Sequence, residues 1–251
     1  MYQKYISTHH IVYANYVITH KAYNFIDING YIPIQVGKQN SKKKLDLIGD
    51  DTGENISSLN PYFCELTGLF WAWKNGDADI IGLSHYRRYF IESNDHNEWQ
   101  ILSPQTVISS FNQHPNQIIL SVPQGEQGIS IKEKYAQAHY SSDWEKTRQI
   151  IQKLSPDYIP SFEAIENSIM ISYFHMLIAH KSIINKYCEW LFPILFELNH
   201  SLDFSKRDPY QKRAIAFIAE RLINVFVHKH RQILDVNYHY VYNIEKEQIN
   251  I

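Results

Sequence analysis

A cluster of basic and aromatic side chains follows directly on a short apolar segment in the first half of the chain. Residues 80–83 read Ile-Ile-Gly-Leu, which is typical of a buried strand, and residues 85–88 read His-Tyr-Arg-Arg. In open α/β sheets, ligands bind beyond the carboxyl ends of the strands. Guanidinium groups bind phosphate oxygens through paired, charge-assisted hydrogen bonds. The sequence therefore predicts an anionic ligand, and phosphate in particular, at this cluster.

The two arginines of this cluster are adjacent in the chain. In an extended segment, successive side chains point to opposite sides. Tyr86 and Arg88 would then face one way and His85 and Arg87 the other. We therefore expect one arginine to contact the ligand and the other to brace the fold.

An acidic motif, Asp77-Ala78-Asp79, comes just before the same strand. Its Asp-x-Asp form is the one with which many sugar-nucleotide transferases hold a divalent cation on a diphosphate. Both aspartates precede the strand, however, so we expect them at the edge opposite the basic cluster. The sequence thus gives no firm cofactor: Mn²⁺ or Mg²⁺ is left open, but this motif does not support either ion.

Two glutamates stand among apolar residues in segments with helical spacing. The segment 61–74 begins at Asn60-Pro61, ends at Asn75-Gly76 and is apolar around nearly its whole circumference, with Glu65 and Lys74 as exceptions. Glu220 lies similarly among apolar residues near the end of the chain. A charged group in such surroundings must be paired or must face a cavity.

The chain alternates between strand-like and helix-like segments, which favours an α/β fold. We predict strands at 11–19, 79–85, 117–122, 169–179 and 235–242, and helices at 61–74, from 104, at 132–139, 142–154, 181–198 and 208–228. The helix at 142–154 is expected to open with a capping box. We expect one domain over residues 1–251, with a core of about 10–125 and 165–245 and a helical annex at about 130–165.

The composition excludes several classes of protein. A net charge of −2 and a pI of about 6.7 disfavour a nucleic-acid-binding protein, so no nucleic-acid partner is expected. Only Cys64 and Cys188 are present, which gives no support for a disulfide framework or a structural zinc site. The chain lacks a signal-peptide pattern and any apolar run of about 20 residues, so we expect a cytoplasmic protein.

The common phosphate-binding and nucleophile motifs are absent as well. The sequence contains no P-loop, no Gly-x-Gly-x-x-Gly and no Gly-x-Ser-x-Gly, and its 13 histidines lack the spacing of a helical zinc motif. Any nucleotide site would therefore have to be built from other elements.

Several segments resemble one family of bacterial proteins. They are Thr19-His20-Lys21, Asn55-Ile56-Ser57, residues 63–67, Trp71-Ala72-Trp73-Lys74-Asn75, residues 82–90 with His85-Tyr86-Arg87-Arg88, residues 187–195 and Ala219-Glu220-Arg221-Leu222. In this order they are similar to capsular and exopolysaccharide biosynthesis proteins, a family first described as a domain of unknown function that includes β-galactofuranosyltransferases. The resemblance spans nearly the whole chain.

The resemblance implies a GT-A-like mixed sheet flanked by helices, and a glycosyltransferase of surface polysaccharide biosynthesis. Such an enzyme would transfer a hexose, with galactofuranose one candidate, from a UDP-sugar to a hydroxyl of a lipid-linked saccharide acceptor with inversion. It would work at the inner face of the membrane, where peripheral association is expected. The alternatives are a non-catalytic nucleotide-sugar or carbohydrate-binding subunit of the same machinery, and a transferase of hexose phosphate.

An inverting transfer needs a carboxylate to deprotonate the acceptor hydroxyl and cationic or hydrogen-bonding groups at the diphosphate, which suggests roles for individual residues. Glu220 is the first candidate for the catalytic base and Glu65 the second. The residues predicted to bind the nucleotide-sugar are Thr19, His20, Lys21, Asn55, Ser57, His85, Tyr86, Arg87 and Arg88. The residues predicted to contact the sugar or the acceptor are Trp73, Lys74, Asn75, His139, His175, Met176 and Arg221.

Each group of assignments has a structural alternative. Glu220 would serve equally as a partner of Arg221, Arg213 or Lys74, and Trp73 as a core side chain. Asn55 and Ser57 would fit an ordinary turn, and His139 a helix cap. His175-Met176 departs from the Asn-Met of similar proteins, which puts the sugar specificity in question.

Overall fold

The computed structural model describes residues 6–8, 11–94 and 96–250. Its strands are β1 Ile6–Thr8, β2 Ile11–Thr19, β3 Tyr31–Gln35, β4 Ile48–Gly49, β5 Ile80–His85, β6 Arg88–Ser93, β7 Trp99–Ile101, β8 Gln117–Ser121, β9 Gln124–Gly125, β10 Met170–Ile171, β11 Leu177–His180, β12 Asp235–His239, β13 Val241–Asn243 and β14 Gln248–Asn250. The helices are α1 Asn60–Phe63, α2 Leu66–Asn75, α3 Pro104–Gln113, α4 Ile131–Ala138, α5 Ser141–Leu154, α6 Ile159–Glu166, α7 Lys181–Ser201 and α8 Ala214–Lys229.

The central sheet is mixed and runs in the order β12-β8-β11-β5-β2-β3-β4. Strand β11 is antiparallel to both β5 and β8, whereas β2 is parallel to β3 and β5, and β12 is parallel to β8. The carboxyl ends of β2, β3, β5 and β8 therefore meet at one edge. The loop that enters β11 reaches the same edge because that strand runs the other way.

The strands predicted at 11–19, 79–85 and 117–122 are confirmed to within a residue or two. The continuous strand predicted at 169–179 is wrong, because a loop at residues 172–176 separates β10 from β11. Within it, Phe174 and His175 have φ angles of 74° and 48°, which a regular strand cannot accommodate. The final strand is also divided, with β12 pairing to β8 and β13 to β6.

The helix predicted at 61–74 is broken into α1 and α2. Cys64 adopts a φ of 49° between them, and its carbonyl accepts hydrogen bonds from the Asn60 amide and the Thr67 hydroxyl. The apolar pattern continues across this break, so periodicity alone did not reveal it. The break leaves Glu65 at the start of α2, with its side chain beside the cleft described below.

The capping box predicted for α5 is wrong. The helix begins at Ser141, so that Ser142 lies inside it and cannot be its N-cap, and the Glu145 carboxylate pairs instead with Lys132 at 2.7 Å. The Asp143 carboxylate forms two hydrogen bonds of 2.6 Å to Arg207. A capping box does occur one helix earlier, where Ser130 and Glu133 cap α4 reciprocally.

The helices of the predicted annex, α4 to α6, pack against the helices and strands of the core. Helix α5 contacts α7 and α6 contacts α8, and the buried rings of Tyr135 and Trp144 belong to the same apolar cluster as Ile81 and Leu222. The domain limits themselves stay a prediction. Among the described residues, no helix combines the length and apolarity needed to cross a bilayer.

Candidate active site

A cleft of about 840 Å³ opens at the carboxyl edge of β2, β3 and β5. One wall is the sheet edge and the other is formed by α1, the segment before α8 and the first two turns of α8. Its lining residues are Ile18, His20, Val36, Asn60, Pro61, Cys64, Glu65, His85, Tyr86, Arg87, Arg88, His139, Phe174, Pro209, Tyr210, Lys212, Arg213, Ala216, Phe217, Glu220 and Arg221. The position agrees with the general placement of ligands in α/β sheets.

The basic cluster forms a tight turn and not an extended segment. His85, at the end of β5, pairs with Arg88, at the start of β6, so that Tyr86 and Arg87 form the connection. The predicted alternation of side chains is therefore wrong, because all four side chains line the cleft. Arg87 pairs with Glu245 at 3.2 Å, and the Arg88 guanidinium lies 4.6 Å from the centre of the Phe174 ring.

His85 is held in one tautomer by the loop before β11. Its Nε2 lies 2.7 Å from the Phe174 carbonyl oxygen, which can only accept, so Nε2 carries the hydrogen. Burial lowers the pKa of His85 to about 4, and the charges of Arg88 and Arg87 add to the effect. His85 is therefore neutral at pH 7 and positions the loop rather than contributing charge.

Backbone strain is concentrated at this cleft. Cys64 and Phe174 both line it in left-handed conformations, and His175 follows directly with the same sign of φ. Such residues cost about 1–3 kcal/mol each and persist only where surrounding contacts fix them. Here Ser121 Oγ donates to the Tyr173 carbonyl, and the Glu220 carboxylate accepts from the Phe174 N–H. Strain of this kind is typical of functional sites.

Glu220 has both carboxylate oxygens engaged. One accepts the Phe174 N–H at 2.7 Å, and the other accepts from Arg221 at 2.5 Å. The alternative of a structural pair with Arg221 is thus realised, and Glu220 anchors the strained loop to α8. Arg221 in turn donates to the Phe217 carbonyl within the same helix.

Glu65 has a different environment. Burial, together with the nearby charge of Glu220, raises its pKa to about 7. Its Oε1 lies 4.0 Å from His175 Nδ1, a buried atom without a hydrogen-bond partner in the described structure. Burial lowers the pKa of His175 to about 3, so that this histidine is neutral and does not stabilise the carboxylate as an ion pair would. A carboxyl group with this pKa can exchange a proton near neutral pH.

The cleft carries an excess of positive charge. Of the cations that line it, Arg87 and Arg221 pair with Glu245 and Glu220, whereas Arg88, Lys212 and Arg213 form no ion pair within residues 11–94 and 96–249. An anionic ligand would supply the missing countercharge.

Two of these cations, Lys212 and Arg213, were not among the site residues predicted from the sequence. Lys212 and Arg213 enter the cleft from a 3-10 turn, Gln211–Arg213, where a regular α-helix is predicted. Arg213 Nε donates to the Cys64 sulfur at 3.1 Å. The helix start predicted at Asp208-Pro209 was the available signal for a site in this region. No local pattern in the sequence indicated which of the residues near this start face the cleft.

Other predicted residues lie outside the lining. Lys21 pairs with Glu245 at the rim, and the Thr19 hydroxyl donates to the Lys21 carbonyl. The Ser57 hydroxyl donates to the buried Asp50 carboxylate, and Asn55 Oδ1 accepts the Ser57 N–H, as the turn alternative requires.

The tryptophan-rich helix also packs away from the cleft. Trp73 stacks on Phe192 with ring centres 5.6 Å apart, Lys74 pairs with Glu54, and the Asn75 side chain is hydrogen-bonded to the backbone of Glu54. Met176 is buried in the apolar cluster on the far side of the sheet. His175 is buried behind Glu65.

The acidic motif does not fit a metal at the cleft. The Asp79 carboxylate accepts the Val12 N–H, next to the start of β2, and therefore lies at the opposite edge of the sheet, as predicted. Neither Asp77 nor Asp79 lines the cleft, and no group of three His, Cys, Asp or Glu suited to a metal occurs among the described residues. No step in the chemistry below is therefore assigned to a metal.

Comparison with known protein families identifies the family of this chain. A family model described as a domain of unknown function (DUF4422) matches residues 15–231. The chain belongs to the DUF4422 family. A search of curated proteins found no match to this DUF4422 protein.

One solved structure is similar to the DUF4422 protein over most of its length. It is the apo structure of WbbM, a bifunctional glycosyltransferase, with a TM-score of 0.85 and 29% sequence identity. The match covers 95% of the DUF4422 protein but only 46% of the WbbM chain, so this chain spans about half the length of that structure. The likeness confirms the GT-A-like α/β fold predicted from the sequence.

Proposed function

We propose that this DUF4422 protein is a glycosyltransferase that moves a hexose from a UDP-sugar to a hydroxyl of a saccharide acceptor. The observation that carries the proposal is the cleft itself, where the turn of residues 85–88, here called the cationic hairpin, and a carboxyl group with a pKa near 7 meet at the carboxyl edge of the sheet. Arg88 of this hairpin has no ion-pair partner among the described residues. The likeness to the bifunctional glycosyltransferase WbbM supports the same activity.

In the proposed reaction, Glu65 acts as the general base. The ionised carboxylate removes the proton from the acceptor hydroxyl, whose oxygen forms a bond to the anomeric carbon of the donor sugar. The bond from that carbon to the β-phosphate oxygen breaks at the same time, and UDP leaves with the electron pair. Arg87 and Arg88 stabilise the charge that develops on the diphosphate. The acceptor oxygen enters opposite the leaving group, so the transfer inverts the anomeric configuration.

Glu220, the first candidate for the base, takes a positioning role in this scheme. Its two oxygens hold the Phe174 N–H and Arg221, and releasing the Phe174 N–H would free the strained loop. Glu65 carries no such contacts and has the pKa that a base needs at neutral pH.

The finer identity of the substrates follows the family resemblance. We propose UDP-galactofuranose as the first donor to test, a lipid-linked saccharide as acceptor, and surface polysaccharide as the product. The place of action would be the inner face of the membrane, with peripheral association.

Product analysis tests the activity directly. Purified protein is incubated with UDP-galactofuranose, UDP-galactopyranose or UDP-glucose and a saccharide acceptor, with and without EDTA, and the released nucleotide is identified. Acceptor-dependent release of UDP is expected with one of these donors. Release of UMP would indicate transfer of a hexose phosphate, and binding without release would indicate a non-catalytic subunit.

Substituting Arg88 tests the diphosphate site. Arg88→Ala is expected to weaken UDP binding about 10- to 100-fold, because a hydrogen bond to a charged group contributes about 1.5–3 kcal/mol. Isothermal titration calorimetry with UDP measures the change, and Arg88→Lys should recover part of the affinity. Lys153→Ala, which removes an exposed cation paired with Glu197 on α7, is the matched control. Unchanged UDP affinity in Arg88→Ala would contradict the diphosphate role.

A further inference from the structure

An aromatic shelf forms the outer part of the helical wall of the cleft. We define it by Tyr210, Phe217 and His139, which all line the cleft. The His139 ring stacks on Phe217 with centres 4.1 Å apart, and Tyr210 lies 5.0 Å from Phe217. Tyr210 keeps 52% of its surface exposed, whereas the other two rings are partly covered.

The shelf is held rigidly by its surroundings. Gln211 Nε2 donates to the Ala138 carbonyl, which ties the turn before α8 to the end of α4. The Arg213 guanidinium lies over the rings of Tyr210 and Phe217, at 6.0 Å and 5.3 Å from their centres. A ring fixed in this way can stack on a ligand with little loss of side-chain entropy.

A series of contacts gives the order of groups along the cleft. Arg88 lies over Phe174, whose N–H donates to Glu220, and Glu220 lies one helical turn from Phe217 on α8. Phe217 then stacks on His139. The cationic hairpin is thus at one end of this series, the shelf is at the other, and Glu220 lies between them.

We infer that the shelf is the acceptor subsite, with Tyr210 stacking on the apolar face of an acceptor sugar ring. This inference rests on the proposed function, which places the diphosphate at the cationic hairpin. The donor sugar then extends past the carboxylates, and the acceptor must approach from the remaining side, where the shelf lies. Sugar rings present C–H groups on one face, and these pack on aromatic rings. The hydroxyls around that ring face Lys212 and Arg213.

A nucleobase would also stack on a tyrosine, but the fold places it elsewhere. Nucleotides bind along the carboxyl edge of the sheet, whereas Tyr210 lies on the opposite, helical wall. On the sheet side, His20 and Tyr86 already form an edge-to-face pair, with centres 5.6 Å apart, beside Arg87.

Binding experiments separate the shelf from the chemistry. The probes are octyl β-galactoside, octyl β-glucoside and octyl β-N-acetylglucosaminide for the acceptor subsite, and UDP for the donor site. Tyr210→Ala is expected to weaken the binding of the preferred glycoside about tenfold, with UDP affinity unchanged, and Tyr210→Phe should weaken it less. Tyr238→Ala, which removes a tyrosine that is 47% exposed outside the cleft, is the matched control and should change neither affinity.

Each outcome decides the inference. Loss of glycoside binding in Tyr210→Ala alone supports the subsite, and in a transfer assay it should appear as a raised KM for the acceptor. A comparable loss of UDP affinity would overturn it in favour of base stacking, and so would equal glycoside affinity in both alanine variants or no glycoside binding by the unaltered protein. If glycosides bind at Tyr210 but no donor is turned over, the shelf stands as a glycoside-binding site and the proposed transferase activity fails.

Discussion

Glu65→Gln is expected to abolish transfer while making the protein more stable at pH 8. Loss of a general base lowers kcat by about 10²- to 10⁴-fold. Glutamine has nearly the same shape as glutamate but carries no charge, so that UDP binding at the hairpin should be retained. Lost activity combined with gained stability is typical of a catalytic group whose buried position destabilises the folded protein.

The sign of the stability change follows from the pKa of Glu65. Its folded value of about 7 lies above the ordinary value of 4.5, so the folded protein binds more protons than the unfolded chain between these two pH values. Stability contributed by the protonated form is present below pH 4.5 and is lost as the pH rises through 7. The variant avoids this loss, and we expect its free energy of unfolding to exceed that of the unaltered protein by about 1–3 kcal/mol at pH 8.

Urea denaturation at pH 4.5 and pH 8 measures this effect. The two proteins should differ little at the lower pH, and kcat/KM of the unaltered protein should rise with a midpoint near pH 7 as Glu65 ionises. Glu197→Gln, at an exposed glutamate on α7, is the control. A variant that keeps its activity, or that is less stable than the unaltered protein at pH 8, would remove Glu65 as the base.

Glu220→Gln gives a useful contrast. An amide has only one acceptor oxygen and cannot serve both the Phe174 N–H and Arg221, so we expect the variant to lose transfer and stability together. If Glu220→Gln instead keeps its stability and loses transfer while Glu65→Gln is active, Glu220 is the base.

Asp143→Ala is expected to cost about 3–5 kcal/mol of folding stability, the largest loss from any single ion pair described above. The Asp143 side chain is fully buried and that of Arg207 is only 8% exposed, and the two form a bidentate pair with both bonds at 2.6 Å. Removing the carboxylate leaves a buried guanidinium without its partner. Since such a charge cannot be hydrated in place, the surrounding segment must open.

Loss of the ion pair between Asp143 and Arg207 should also weaken ligand binding in the cleft. Arg207 stacks on Tyr140 and Phe204 and precedes the turn that carries Tyr210, Lys212 and Arg213. We therefore expect weaker UDP and glycoside binding in Asp143→Ala, although the side chain lies outside the cleft.

Urea denaturation also measures the cost in Asp143→Ala. In the double variant Asp143→Leu with Arg207→Met, apolar side chains replace both charges, and most of the lost stability should return. Lys153→Ala, which breaks the exposed pair with Glu197, should change the free energy of unfolding by at most about 1 kcal/mol. A loss in Asp143→Ala no larger than in this control would show that the buried pair contributes little.

Local signals in the sequence determined much of this structure. The strands at Ile11–Thr19 and Ile80–His85 were predictable because their apolar residues are contiguous, and helix α3 because Ser103 and Pro104 satisfy the needs of a helix start. The basic cluster was placed at the ligand-binding edge, and the acidic motif at the opposite one, from strand direction alone. Each of these predictions depends on neighbouring residues and on the polarity of a strand.

The tertiary structure decided what depends on residues far apart in the chain. The break at Cys64 and the loop at 172–176 are backbone conformations held by distant partners, and no periodicity encodes them. Trp73 packs on Phe192, and Glu145 pairs with Lys132 rather than capping its own helix. The same holds for the choice between the two glutamates. Both stand in similar apolar patterns, but only the folded chain gives Glu220 two hydrogen-bonding partners and leaves Glu65 buried beside a neutral histidine, and it is this difference in solvation and pairing that separates their chemistry.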